Sequence, residues 1–240
     1  MKILSWNVHF DLIKNGKILK EKIAHIQLFN ADIIILHEVT PEGFNTLKDK
    51  YKNSFHYADT LYENNANYGI AIFSNNYDIK FTDNFNRNFR YVVPLEIHKP
   101  NSEDSFLFYL FAVWTKKLPI NYTQNIIQAC DFEGYQKYIA DKAIFIGDFN
   151  TPDTKQQHSK YDAIIAKGLI DCADAEDILK PTYSHSTGVD YFSADYCLAT
   201  PKMKKSFSIK ETIFDLDDSI DIKDKYLRLS DHVPLLVEIE

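Results

Sequence analysis

The chain has 240 residues, 45% hydrophobic and 25% charged, with 34 acidic against 27 basic side chains and a net charge of −7. That balance argues against an open, nonspecific nucleic-acid binder, whose field is strongly basic, while leaving room for a local basic groove. No Pro/Gly/Ser-rich stretch divides the chain, which predicts one domain over 1–240, and no apolar run approaches the roughly 18 residues of a membrane span.

Lys2–Trp6 reads as a strand, and Ile18–Phe29, apolar at 18, 19, 23, 26 and 29, as a helix covering it. The Ile-rich run Asp32–Leu36 suits a strand buried on both faces. Gly69–Phe73, Val92–Ile97 and Phe106–Val113 follow as strands with polar links, which suggests antiparallel neighbours. Asn121–Ala140 is the longest predicted helix, Ala143–Ile146 another buried strand, and Tyr161–Lys167 a helix that Gly168 stops. Ala194–Ala199 and Val233–Ile239 complete the strands. Such mixed alternation predicts two packed sheets with helices outside, not a uniform βαβ array. Cys130, Cys172 and Cys197 are odd in number and widely spaced, so they read as reduced structural thiols. The N-terminus turns polar too quickly for a signal peptide. Both observations predict a soluble, cytoplasmic protein with no membrane partner, here taken as a monomer.

Polar residues stand where several of these strands end. Ile3-Leu4-Ser5-Trp6 ends in Asn7, Ile33-Ile34-Ile35-Leu36 in His37-Glu38, and Ile144-Phe145-Ile146 in Gly147-Asp148-Phe149-Asn150. Leu229-Ser230-Asp231-His232 precedes the last strand. Each has a plain rival reading: Asp148 and Asn150 as turn formers, Glu38 as a solvated loop carboxylate, His232 as a satisfied imidazole. Together they are the parts that metal-assisted phosphodiester hydrolysis needs. Glu38 and Asp231 suit a hard cation such as Mg²⁺. Asp148 suits activation of the attacking water, while Asn7, Asn150 and His232 suit stabilisation of transition-state charge.

In their order and from one end of the chain to the other, these motifs resemble the endonuclease/exonuclease/phosphatase superfamily. Gly69-Ile70-Ala71-Ile72-Phe73-Ser74 and Ser193-Ala194-Asp195-Tyr196 extend the resemblance. It implies a four-layer α/β sandwich (DNase I-like), with two mixed β-sheets flanked by helices and the site at one end of the sheets. It implies Mg²⁺ or Mn²⁺ on Glu38 with Asp231 nearby, and a hydrogen bond from His232 to Asp195 that fixes its tautomer and favours its charged form.

Three departures stand against the family pattern. His37 replaces the usual Gln before Glu38, with metal, phosphate, second-layer and packing roles all open. His9 stands two residues after Asn7 and is a candidate phosphate contact or a loop residue. Most telling, Trp114 fills the position where many members carry a catalytic His or Tyr, and an indole only donates a hydrogen bond. Trp114 could stack on a base or belong to the core. Lys116 and Lys117 fit the rim of a phosphate site or a solvated turn, and Arg87, Arg90, Lys202, Lys204 and Lys205 are further basic candidates.

Thr151-Pro152-Asp153 lacks the Arg that inositol phosphatases usually carry there, and a bacterial sphingomyelinase would be secreted. Val113-Trp114 and Asp195-Tyr196-Cys197 resemble compact stand-alone bacterial members. The expectation is therefore a Mg²⁺-dependent nuclease on DNA or RNA. A small-metabolite phosphatase and a nucleic-acid-binding module without turnover are the alternatives.

Overall fold

The computed structural model describes residues 1–9, 16–58, 68–89, 91–102, 105–116, 122–151, 158–173, 181–184, 191–213 and 230–240. In chain order the first strands are β1 (Lys2–Asn7), β2 (Ile33–Val39), β3 (Asn53–Ala58), β4 (Gly69–Ser74), β5 (Asp78–Phe81), β6 (Val92–His98) and β7 (Phe106–Trp114). They are followed by β8 (Ala143–Asp148), β9 (Ile170–Asp171), β10 (Tyr183–Ser184), β11 (Tyr191–Phe192), β12 (Asp195–Ala199), β13 (Ile209–Ile213) and β14 (Leu235–Ile239). One sheet has the order β13-β14-β1-β2-β4-β3 and the other β5-β6-β7-β8-β12-β9, with β10 and β11 paired separately. Each large sheet is mixed, since β1 and β2 run parallel, as do β7 and β8, among antiparallel neighbours.

The predicted four layers are present. Between the sheets, Ile3, Ile33, Ile35, Leu110, Ile144 and Ile146 form one apolar cluster. Leu4, Trp6 and Leu36 turn outward and pack under α1 (Gly16–Leu28) and α2 (Pro41–Leu47). On the far face, Phe111, Phe145 and Tyr196 meet α3 (Tyr122–Asp131), α4 (Glu133–Ile139) and α5 (His158–Ile165). Burying one such side chain stabilises by about 1.5–3 kcal/mol. A one-residue slip would turn every inward Ile outward, so the register of each central strand is strongly determined.

The predicted helix over 121–140 is two helices, because Phe132 adopts an extended backbone (φ −71, ψ 122) between α3 and α4. Two further helices, absent from the predicted elements, begin at a local Thr-Pro signal. Thr40-Pro41 opens α2, and Thr200-Pro201 opens α6 (Pro201–Ser206). In each, the Thr hydroxyl caps the first turn and Pro supplies a pre-set φ.

Gly147 fixes how closely β7 and β8 approach. Its φ is +144, and a Cβ there would lie 2.0 Å from the Val113 carbonyl oxygen and 2.9 Å from His37 Nε2. Gly147→Ala is expected to destabilise the protein by about 1–3 kcal/mol from backbone strain, with the clash added. Urea unfolding measures the loss; an unchanged midpoint would show that the strand can move aside.

Candidate active site

The period-two alternation that builds the core also assembles the site. Along β1 the inward series Ile3, Ser5 ends in Asn7; along β2, Ile33, Ile35 ends in His37; along β8, Ile144, Ile146 ends in Asp148. Antiparallel β12 begins beside the end of β8, with Asp195 opposite Asp148, and continues inward through Cys197 and Ala199. Polar side chains therefore replace the apolar ones at a single end of the intersheet layer.

Asp148 is the centre of this cluster and fully buried. Its Oδ2 accepts from Asn7 Nδ2 at 2.9 Å, which links the two sheets, and from Asn150 Nδ2 at 2.7 Å. Its Oδ1 accepts from the Asn150 backbone N–H at 2.8 Å. Asn150 reaches this position in the left-handed region, with φ +44. Burial raises the Asp148 carboxyl above the ordinary range, while the charge of His232 and the Asn7 donor pull it down.

Both amides have their NH₂ groups taken up by hydrogen bonds within the site. Asn7 Nδ2 donates to Glu38 Oε1 (3.1 Å) as well as to Asp148, and its Oδ1 accepts the His9 backbone N–H at 3.0 Å. Asn150 Nδ2 donates to the Thr115 carbonyl (3.1 Å) as well as to Asp148. Each amide thus has both hydrogens committed, Asn7 to the Asp148 and Glu38 carboxylates and Asn150 to Asp148 and the Thr115 carbonyl.

His232 Nδ1 lies 2.8 Å from Asp195 Oδ2, and its Nε2 lies 3.9 Å from Asp148 Oδ2. Burial opposes charge on this ring. The carboxylates of Asp195, Asp148 and Asp231 outweigh it and raise the pKa to about 10, so at neutral pH the ring is an imidazolium. Its backbone is pinned from two sides. Trp6 Nε1 donates to the His232 carbonyl at 2.9 Å, and the Ser230 hydroxyl accepts the His232 N–H at 3.1 Å while donating to the Asn7 carbonyl at 2.6 Å.

Glu38 belongs to this end only because β2 is irregular. Simple alternation would send it outward with Leu36, but the register with β4 shifts between Leu36 and Val39, and Glu38 has φ +60. The bulge turns the carboxylate toward Asn7. Its Oε2 is buried without a hydrogen-bond partner. Asp231 flanks it, with Oδ1 3.2 Å from His9 Nδ1. Burial works against the charge of Asp231, but its close pairing with His9 and the positive ring of His232 hold its pKa below the usual value. His9 is pushed up by the same contact.

Among the described residues, the tightest set of potential metal ligands is Asp148, Asp195 and His232, with one ligand atom from each within 4.8 Å of the others. Hydrogen bonding favours Glu38 instead. Asp148 already accepts three donors, Asp195 is paired with His232 Nδ1, and the His232 ring is charged, which opposes a cation beside it. The orphaned oxygen of Glu38, a hard donor beside a second carboxylate, fits Mg²⁺ or Mn²⁺.

Solved structures with this arrangement of sheets and helices include a 3′–5′ exonuclease from Neisseria meningitidis, at 16% identity and TM-score 0.66, with 100% of both chains covered. An endonuclease/exonuclease/phosphatase family protein from Bacteroides thetaiotaomicron is 16% identical with TM-score 0.62, over 100% of this chain and 97% of that one. The chain has the endonuclease/exonuclease/phosphatase fold. An AP endonuclease from Archaeoglobus fulgidus shares it, at 15% identity and TM-score 0.63, over 100% of this chain and 99% of that one. No protein-family model matches the sequence, and neither does any curated protein.

Within this endonuclease/exonuclease/phosphatase fold the remaining candidates separate. His9 sits at the rim, half exposed. The stacking role offered for Trp114 does not fit its place: it is 2% exposed, edge-on to Tyr91 and covered by the Lys116 ammonium 4.0 Å from its ring. It is core, with Lys116 above it at the end of β7. Lys202, Lys204 and Lys205 sit on α6, whose capping Thr200 bonds the first residue of β8, Ala143. They therefore lie at the opposite end of the sheet from Asp148. Arg87 occupies an exposed 3₁₀ turn, Arg87–Phe89, while Arg90 and Lys117 lie outside the described residues.

Two tyrosines outside the sequence motifs also feel the site's groups. Tyr122, at the start of α3, is raised in pKa by burial and by Asp148. Tyr183 has its ring 4.8 Å from that of His232. Neither stands in a motif; Tyr183 comes from a two-residue strand with no periodic signal. Among the described residues, no helix is long and apolar enough to cross a membrane.

Proposed function

We propose that this protein is a divalent-metal-dependent phosphodiesterase acting on nucleic acid. The observation that carries the reading is the buried chain Asn7–Asp148–His232–Asp195, which joins both sheets beside an orphaned Glu38 oxygen. Asp148 accepts the proton of the attacking water; burial, by raising its pKa, makes it a better proton acceptor. His232, held charged by Asp195, turns its Nε2–H toward the developing negative charge on the phosphoryl oxygens. Asn7 and Asn150 keep the carboxylates in place. A divalent cation on Glu38 and Asp231 would supply Lewis-acid stabilisation of the phosphate. Nucleic acid as substrate is supported by the exonuclease and AP endonuclease that share the fold. The Lys116 ammonium and His9 stand at the rim, where a phosphate backbone would pass. An intact buried carboxylate–imidazolium network argues against a module that only binds.

The test is hydrolysis of labelled single- and double-stranded DNA, RNA and bis(4-nitrophenyl) phosphate with Mg²⁺, Mn²⁺ or EDTA. Turnover is expected with either metal and none in EDTA. Turnover that persists in EDTA removes the metal-dependent mechanism, and metal binding with no hydrolysis of any substrate favours the binding module.

A further inference from the structure

Lys22 stands on the buried face of α1, one turn before Ile26, and is only 3% exposed. A lysine on a helix surface ordinarily runs its stem along apolar neighbours and leaves its ammonium in water. This ammonium is taken out of water, which costs free energy that an aliphatic side chain would not lose there.

The Lys22 ammonium donates to the Val8 carbonyl at 2.5 Å. Val8 follows the last residue of β1, and His9, with φ +46, turns the chain out of the sheet directly after it. The Val8 N–H donates to the His37 carbonyl at 3.1 Å, beside Glu38. Val8 is thus held on both of its backbone groups. On one side of it stands Asn7, whose side chain joins Glu38 to Asp148; on the other stands His9, which meets Asp231. The turn closes through Asn7 Oδ1, which accepts the His9 N–H at 3.0 Å. The charge of Lys22 also reaches His9, where the pairing with Asp231 raises the pKa and Lys22 opposes that rise.

We infer that Lys22 is a positioning residue: its buried ammonium, acting through the Val8 carbonyl, fixes the Asn7–His9 turn and with it the spacing of Glu38, Asp148 and Asp231. The effect on turnover rests on the phosphodiesterase reading; the brace itself does not. Methionine has nearly the length of lysine but no N–H, so Lys22→Met keeps the packing under α1 and cuts the tether. A displacement of about 1 Å at a catalytic group costs on the order of 10²-fold in rate. The loss should therefore fall on kcat, while KM for a small ester changes little.

Wild type and Lys22→Met should be compared with Lys20→Met, which removes a charge from the exposed face of the same helix. The measurements are kcat and KM on bis(4-nitrophenyl) phosphate with Mg²⁺, the urea midpoint, and amide hydrogen exchange of the metal-free protein by NMR. Lys22→Met is expected to lose about 10²-fold in kcat with KM within a few-fold of wild type. Its urea midpoint should stay near wild type, because removing a buried charge offsets the lost hydrogen bond. The Val8 and His9 amides should exchange about tenfold faster, the worth of one hydrogen bond, while Leu4 and Ile34, inside β1 and β2, keep their rates. Lys20→Met should match wild type throughout. Exchange that quickens equally at Leu4 and Ile34 marks a global loss of stability and overturns the inference. Unchanged exchange at Val8 and His9, a local quickening with kcat unchanged, or equal losses in Lys20→Met overturn it as well. A wild type that turns over neither this ester nor DNA or RNA removes the phosphodiesterase reading, and the exchange rates then decide whether Lys22 braces the turn.

Discussion

Asp148→Asn is expected to lower turnover by about 10²–10⁴-fold, the range that a positioned general base contributes. The substitution preserves shape but not function. An amide cannot take a proton from water, and its own NH₂ must face donors, because Asn7 Nδ2, Asn150 Nδ2 and the Asn150 backbone N–H all point at this side chain. At least one of these contacts becomes donor against donor. The stability change should be small by comparison, since losing a fully buried carboxylate also removes the burden of desolvating it. The decisive measurement is a split between turnover and metal affinity. Asp148→Asn should bind Mn²⁺ within a few-fold of wild type while turnover collapses, whereas Glu38→Gln should lose metal affinity itself. If Asp148→Asn loses metal as completely as Glu38→Gln does, Asp148 is a ligand, and the cluster of Asp148, Asp195 and His232 is the metal centre after all.

The site was legible in sequence to the extent that alternation reveals it. Asn7, His37 and Asp148 each follow apolar residues of the same parity along a strand, and such a series can be read without coordinates. Asp195 needed the family resemblance, because no local period connects it to β8, whereas Asp231-His232 stands out as an acid–imidazole pair just before the last strand. Glu38 could be picked out as a strand-end carboxylate, but not its orientation: only the bulge in β2 brings it to the inner side, and a run of Ile followed by His-Glu does not announce a left-handed residue. Tyr183 was invisible for a related reason. It owes its place to Thr182, which bonds two chain segments from a strand two residues long. The lysines of α6 show the converse error. A basic cluster in sequence has no address, and Thr200 anchors this one at the start of β8, far from its catalytic end. The split of the predicted helix at Phe132 is also hidden from the apolar pattern, since residues on both sides pack on the same sheet.

His37 supplies the other large expected effect, on stability rather than turnover. The ring is 0% exposed, and neither nitrogen finds a hydrogen-bond partner. Burial, reinforced by the positive charge of His232, drives its pKa down to about 3, so it is neutral in the folded protein at every ordinary pH. In the unfolded chain the same imidazole titrates near its model value of 6.5. Below that pH the unfolded state binds the extra proton, and folded stability falls as pH drops from 6.5 toward 3; above 6.5 the contribution is fully present. Each unit in that window removes about 1.4 kcal/mol, so between pH 7 and pH 4.5 the loss is about 2–3 kcal/mol. Gln, the residue that the family resemblance leads one to expect here, is uncharged throughout. His37→Gln should therefore lose about 2–3 kcal/mol less than wild type between those two pH values, whatever its absolute stability. Urea unfolding of both proteins in EDTA at pH 7 and 4.5 measures the difference. Parallel losses in the two proteins would mean that the folded state protonates His37 as readily as the unfolded chain does. A ring touching Gly147 in the closed seam between the sheets should not do so.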